Sequence, residues 1–268
     1  MNFFLFLLPL VFLLSCTQNE MNSKNRQADP DVKASVLNSN KKTLVVDIWS
    51  DFVCPWCWIA KRRFEKALAD FEHQAAVQVN LHAYRLAPNY PPEPIKSALL
   101  KKFRNPTAAE GMVYAVKSHG ADEGLDYQFD TMMFGDTMDA HMLVKAVDDE
   151  ALQKRLIEVL YEQSTSYGKS LFDRASLASL AAQAGVPADV VQRAWTTPEL
   201  RDQVQQDERT ASALASGVPL FVFGNGVQIS GAQPQKVFKQ ALEKMYAQSE
   251  LQLAAPTGQV CGLDGCTI

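Results

Sequence analysis

Two cysteines with two residues between them, Cys54-Pro55-Trp56-Cys57, stand where an apolar strand gives way to an amphipathic helix. Upstream, residues 43–49 are apolar and β-branched, the composition of a buried strand. Residues 50–53 read as the exit loop. Downstream, Trp58, Ile59, Phe64, Ala67, Leu68 and Phe71 recur at helical spacing, with Lys61, Arg62, Arg63 and Glu65 between them. Pro55 suits the first helical position, where its missing N–H would have been unpaired in any case. Cys54 is therefore expected at the N-terminal end of a helix that follows a strand.

That position has chemical meaning. A thiol reacts as its thiolate, and the free N–H groups and dipole of a helix N-terminus favour the anion. A second thiol one turn along can attack a mixed disulfide on the first and release the partner. Two bland readings compete, a structural bridge and half of a zinc site. Zinc takes two more ligands, and no His or other Cys lies nearby in the chain.

The rest of the chain is organised around this junction. Residues 77–84 alternate apolar and polar as a second strand does, and the prolines at 91, 92 and 94 end it. A strand, a helix and a strand make a βαβ start, which takes a right-handed crossover if the strands are parallel. Residues 95–216 read as helices almost throughout, at 95–103, 107–118, 137–147, 151–167, 177–184, 188–195 and 198–214, with an irregular glycine-bearing stretch at 120–135 and no strand-like alternation. Asp173 or Ser176 can cap the helix at 177, and Gly185-Val186-Pro187 stops it. This span is too long for a crossover and reads as an inserted helical subdomain. The pattern then returns to a short apolar strand at 217–223, the turn Gly224-Asn225-Gly226, a partner strand at 227–230 and a last helix at 235–247. The expected fold class is α/β, a β-α-β … β-β-α sheet domain with a large all-helical insertion. Its parts are 43–92 and 217–248 for the sheet domain, 93–216 for the insertion and 249–268 for a tail.

The ends concern location rather than fold. The first 15 residues, MNFFLFLLPLVFLLS, have the length of a signal-peptide core and are too short to span a bilayer comfortably. A small residue followed by Cys16 resembles the lipobox of bacterial lipoproteins, which implies cleavage before Cys16 and lipidation of its thiol. No Lys or Arg precedes the apolar run, so only the amino terminus supplies positive charge there. Residues 16–42 are polar and read as a tether. If Cys16 carries lipid, the remaining four of the five cysteines form two close pairs, Cys54 with Cys57 and Cys261 with Cys266, as an oxidising compartment would permit. The net charge of −4 comes with no long basic run, so nothing points to nucleic acid.

A Cys-x-x-Cys pair at such a junction is the thioredoxin-like redox signature. The whole order resembles the thioredoxin fold in its DsbA-like form. Within it WSDFVCPWCWIAKRRFE, DTMDAHML and GVPLFVFGNGVQISGAQP are similar to the FrnE-type DsbA oxidoreductases over about residues 43–248. The resemblance implies that Cys54 attacks, Cys57 resolves, and Pro55 and Trp56 tune the redox poise. It also implies that Pro219 is a cis-proline beside the pair, with the Val218 main chain open to an extended substrate peptide. Relatives usually carry Asn at the position of Asp136 and Arg at that of Met142, so a pocket shaped there would differ in this chain. Many thioredoxin-fold oxidoreductases carry an acid six residues before the first Cys, where this chain has Ile48 with Asp47 beside it. His141 is either a pocket residue and proton carrier or a satisfied helix residue facing the insert core. The tail pair Cys261-x4-Cys266, which some relatives share, reads as a redox relay, an inert bridge or a stray metal pair.

The leading expectation is a thiol–disulfide oxidoreductase or isomerase, lipid-anchored in the bacterial cell envelope, using no metal and no organic cofactor. Its partners would be cysteine-containing proteins or peptides, a redox recycling partner, and the membrane through the anchor. A glutathione-dependent isomerase or transferase of the 2-hydroxychromene-2-carboxylate isomerase and kappa-class group is the second reading, although those generally have Ser where Cys54 stands. A surface lipoprotein that binds metal or peptide is the third, and the chain lacks Met- or His-rich clusters around Cys54.

Overall fold

A computed structural model of the chain describes residues 43–254. The leader, Cys16, the tether and the Cys261–Cys266 pair lie outside the described residues. The central strand is β1, Leu44–Ser50. It pairs in parallel with β2, Val77–Ala83, in a register that sets Leu44 opposite Val77, and antiparallel with β5, Leu220–Phe223, where Trp49 faces Leu220. The last strand is β6, Gln228–Ser230, and the sheet order is β2-β1-β5-β6. Two strands precede the insertion and two follow it.

Alternation along β1 decides what covers each face. Val46 and Ile48 point to a side buried by α1, Pro55–Ala69, and by the last helix α9, Gln235–Ala254. Ala60, Phe64 and Ala67 of α1 meet Phe221 of the sheet and Phe238 and Leu242 of α9 there, all within 2% of full burial. Removing each large side chain among them from water contributes about 2–3 kcal/mol. Trp49 points to the opposite face, stacks on His82 at 4.5 Å and donates its indole N–H to the Asp207 carbonyl at 3.0 Å. The final helix runs seven residues beyond the Ala247 end that sequence pattern suggests, because Ser249 still lies on its buried side and returns its hydroxyl to the Tyr246 carbonyl.

Between β2 and β5 the chain forms α2 (Ile95–Phe103), α3 (Pro106–Asp122), α4 (Met138–Lys145), α5 (Glu150–Thr165), α6 (Arg174–Ala184), α7 (Ala188–Thr196) and α8 (Pro198–Leu214). Side-chain caps open three of them. Asn105 accepts from Ala108 N, Asp149 from Leu152 N, and Asp173, rather than Ser176, accepts at the start of α6. The insertion has its own apolar core, which also takes in Cys54 ahead of α1 and Cys57, Trp58 and Ile59 within it. It is helical but for one ladder, β3 (Glu93–Pro94) against β4 (Met133–Phe134), where the sequence shows no strand alternation. Two residues per strand, with a proline in β3, leave no periodic trace. No helix among the described residues is long and apolar enough to cross a membrane.

The β5–β6 turn needs less than an Asn-Gly pair suggests. Only Gly226 has a positive φ, 83°, and its N–H closes on the Phe223 carbonyl at 2.8 Å. Asn225 accepts from Val227 N through its side chain instead. This is a three-residue connection with one left-handed position.

Candidate active site

The Cys54–Cys57 turn lies where the two cores meet. On one side of α1 its residues pack into the insertion, and on the other into the sheet. β1 delivers the chain to this point, and Asp51 turns it: the Cys54 N–H donates to the Asp51 carbonyl at 3.2 Å, and the Cys57 N–H to the Cys54 carbonyl at 3.0 Å. Cys54 is the N-cap residue of α1, in extended conformation, and Pro55 opens the helix.

The two thiols, both reduced, have different surroundings. Cys54 is 5% exposed and borders a groove of about 420 Å³ with Trp56, Leu86, Leu99, Met112, Phe134 and Val218. Its Sγ lies 3.8 Å from the Val218 carbonyl oxygen, to which the thiol donates, and the Val218–Pro219 peptide bond is cis. Cys57 is 2% exposed and faces inward, onto a small pocket of about 40 Å³. Burial pushes the Cys57 thiol well above its ordinary pKa, and the neighbouring Cys54 pushes it further, while a hydrogen bond from the Asp51 main chain pulls the other way. The geometry thus yields one thiol at a groove and one at a smaller pocket behind it. The structure brings Cys54, Pro55, Trp56, Cys57, Val218 and Pro219 together, and His141 joins them across the cavity.

Aromatic residues of the insertion hold the turn. Tyr127 donates to the Pro55 carbonyl at 2.7 Å and Tyr161 to the Asp51 carbonyl at 3.2 Å. Burial first, then the nearby thiols, raises both phenol pKa values, so both hydroxyls stay protonated as donors. Trp58 stacks on Tyr161 at 5.9 Å and donates to Glu158 at 3.0 Å. Lys61 and Arg62 converge on the same carboxylate, which ties α1 to α5. Trp56, partly buried, points its indole N–H at Met112 Sδ, 3.2 Å away.

Asp51 is a site residue that sequence reasoning missed. It is fully buried, three residues before Cys54. Its Oδ1 accepts from the Thr137 hydroxyl at 2.7 Å, and its Oδ2 from Leu86 N at 2.7 Å. His141 is 4% exposed, packs on Phe52 with ring centroids 4.8 Å apart, and brings Nε2 to 3.5 Å from Asp51 Oδ1. That nitrogen has no hydrogen-bond partner, the one such buried side-chain nitrogen or oxygen among the described residues. A satisfied core histidine is therefore not what the structure contains. Leaving a buried polar atom unpaired costs about 1–3 kcal/mol.

Asp136 and Met142, the two departures from the FrnE-type pattern, have structural settings. Asp136 accepts from Arg85 and from Asn89 N and pins the loop after β2 to the start of α4. Met142 is buried in the insertion. Among the described residues, no three His, Cys, Asp or Glu side chains are gathered as a bound metal would require.

Comparison with known proteins places this architecture. The family model of the DSBA-like thioredoxin domain matches residues 45–243. A probable DsbA oxidoreductase from Streptomyces coelicolor is 33% identical, with a TM-score of 0.73, over 84% of this chain and 99% of its own. Two more distant structures share the fold alone. A 2-hydroxychromene-2-carboxylate isomerase is 13% identical, with a TM-score of 0.57, over 79% of this chain and 100% of its own. The cytosolic disulfide reductase DsbM from Pseudomonas aeruginosa is 16% identical, with a TM-score of 0.51, over 78% of this chain and 100% of its own. No curated protein matches the chain in sequence. With the family model spanning the sheet domain and its insertion together, the chain belongs to the DSBA-like thioredoxin domain family of thiol–disulfide oxidoreductases.

Proposed function

We propose that the protein is a FrnE-type thiol–disulfide oxidoreductase that exchanges disulfides with cysteine-containing proteins or peptides through Cys54 and Cys57. The observation that carries this reading is the asymmetry of the pair, with Cys54 bordering the groove and Cys57 facing only the inner cavity. A substrate sulfur reaches Cys54 first, and Cys57 resolves the mixed disulfide from behind. The groove is apolar, with Lys102 its one charged lining residue, and the Val218 main chain at its edge suits an extended segment. Pro55 and Trp56 set the poise, and no organic cofactor or metal takes part. The apolar leader and Cys16 support lipid anchoring in the cell envelope, and the Cys261–Cys266 pair supports a second redox couple that exchanges with the first.

The deciding measurement is the reduction potential of the Cys54–Cys57 pair, by equilibration in glutathione buffers and mass spectrometry of alkylated peptides. A value near that of DsbA, about −120 mV, assigns disulfide donation, and one near that of thioredoxin, about −270 mV, assigns reduction. A pair that does not cycle defeats the proposal. Turnover that survives Cys57→Ala would move the chain to the isomerase reading instead. Membrane association that survives Cys16→Ser would remove the lipid anchor.

A further inference from the structure

The cavity behind Cys57 is the least explained space in the molecule. It is ringed by side chains that could take or give a proton, namely Cys57, Lys61, His82, His141, Lys145 and Tyr161. Most are already committed. Lys61 Nζ binds Glu65 and Glu158, and Lys145 Nζ binds Asp207 at 2.6 Å. Both His82 nitrogens are engaged, by Asp207 and Asp47. The Tyr161 hydroxyl donates to the Asp51 carbonyl. Of the nitrogens and oxygens on these side chains, only His141 Nε2 is buried without a hydrogen-bond partner, and it stands 3.5 Å from the Asp51 carboxylate. Three donors other than His141 already satisfy that carboxylate: the Thr137 hydroxyl, Leu86 N and Val53 N. The hydrogen-bond inventory therefore does not require the imidazole, yet the fold keeps it there at 4% exposure. A cavity of about 40 Å³ is large enough for a bridging water.

We propose that His141, backed by Asp51, is the proton carrier for Cys57, a proposal that rests on the Cys54–Cys57 reading above. In the reducing direction a substrate sulfur is held as a disulfide on Cys54. The Cys57 thiol passes its proton through the cavity to the His141 imidazole. The resulting thiolate attacks Cys54 Sγ, the Cys54–Cys57 bond forms, and the bond from Cys54 to the substrate sulfur breaks. The substrate leaves as a thiolate carrying that electron pair, so the substrate disulfide is reduced by two electrons and the dithiol is oxidised by two. In the oxidising direction every arrow reverses, and the imidazolium returns the proton to the departing Cys57 sulfur. His141 thereby fills the place left by Ile48, since Asp47, the nearest acid in sequence, binds Asn80 and His82.

The test is stopped-flow resolution of the Cys54–glutathione mixed disulfide in the full-length protein, as a function of pH, in wild type and His141→Gln. Wild type should show a rate that levels off once the imidazole is neutral. The variant should resolve about 100-fold more slowly near neutrality and climb tenfold per pH unit until the curves meet in alkali, where Cys57 ionises unaided. A structural role would shift both curves in parallel. Superimposable profiles overturn the proposal. If no mixed disulfide accumulates on Cys54 in Cys57→Ala, the Cys54–Cys57 reading has failed and the carrier falls with it. Should the His141 variant not fold, the side-chain 15N signals of His141 in the wild-type protein decide. Their titration should differ between the oxidised and reduced pair, and identical curves in both states defeat the assignment.

Discussion

Gly120 is the position at which a single methyl group should be felt at the redox turn. It lies on α3 against the ring of Tyr127, and a Cβ there would stand 2.6 Å from Cδ2 and 2.7 Å from Cε2. Ordinary contact begins near 3.4 Å, so the overlap is about 0.8 Å. The ring has no room to retreat. It is 1% exposed, meets Trp58 edge-on at 5.7 Å, and is tied through its hydroxyl to the Pro55 carbonyl. Overpacking of this kind costs about 1–3 kcal/mol. Alanine returns up to about 1 kcal/mol over glycine within a helix, and less near its end. Gly120→Ala should therefore destabilise by about 1–2 kcal/mol. The sign should turn when the ring is removed. Tyr127→Ala alone costs about 3–5 kcal/mol, but in that background the new methyl enters vacated space and Gly120→Ala becomes neutral or stabilising. Urea unfolding of the four proteins measures the coupling, expected at about 1–3 kcal/mol. An equal penalty for Gly120→Ala in both backgrounds would refute the steric account.

Three further outcomes follow from the geometry. Iodoacetamide near neutral pH should label Cys54 well ahead of Cys57, whose thiol is buried and held high, and peptide mass spectrometry would reveal equal labelling if this is wrong. Arg85→Met should cost about 2–3 kcal/mol, because Arg85 lies between Glu208 and Asp136 with 7% of its side chain exposed; residual water at both carboxylates keeps the figure below that of a fully buried pair, and a change under about 0.5 kcal/mol would contradict it. His82 should give stability a pH slope. Burial lowers its pKa, but hydrogen bonds to Asp207 and Asp47 outweigh that and raise it. Its contribution is complete below the unfolded value of about 6.5 and is lost as pH rises through the higher folded value. In His82→Gln that decline should flatten, and an unfolding free energy with the same pH profile as wild type would remove His82 as its source.

The sheet and the Cys54–Cys57 turn were legible in the sequence because their signals are local. An apolar, β-branched run marks β1, and Pro55 marks the first turn of α1. What escaped has no local signal. Asp51 is one acid in a four-residue loop, and its burial is created by Leu86 N and Thr137, which arrive from 35 and 86 residues away. Tyr127 sits in a glycine-bearing stretch without periodicity, and only the fold places it under Pro55. His141 reads as one more residue of α4 until β2, α1 and α5 close the cavity around it.

The pairing of β1 has a consequence for how the protein is made. Its parallel neighbour β2 ends at Ala83, and its antiparallel neighbour β5 begins at Leu220, after the whole insertion. Cys54 and the Val218 carbonyl meet across 164 residues. A chain emerging from the ribosome, or threading vectorially across a membrane, therefore presents its two thiols long before the strand that completes their surroundings exists. During that interval the CPWC segment is an ordinary peptide dithiol with neither inner cavity nor groove edge. High contact order at this one place makes completion of the site a late event in the birth of the molecule.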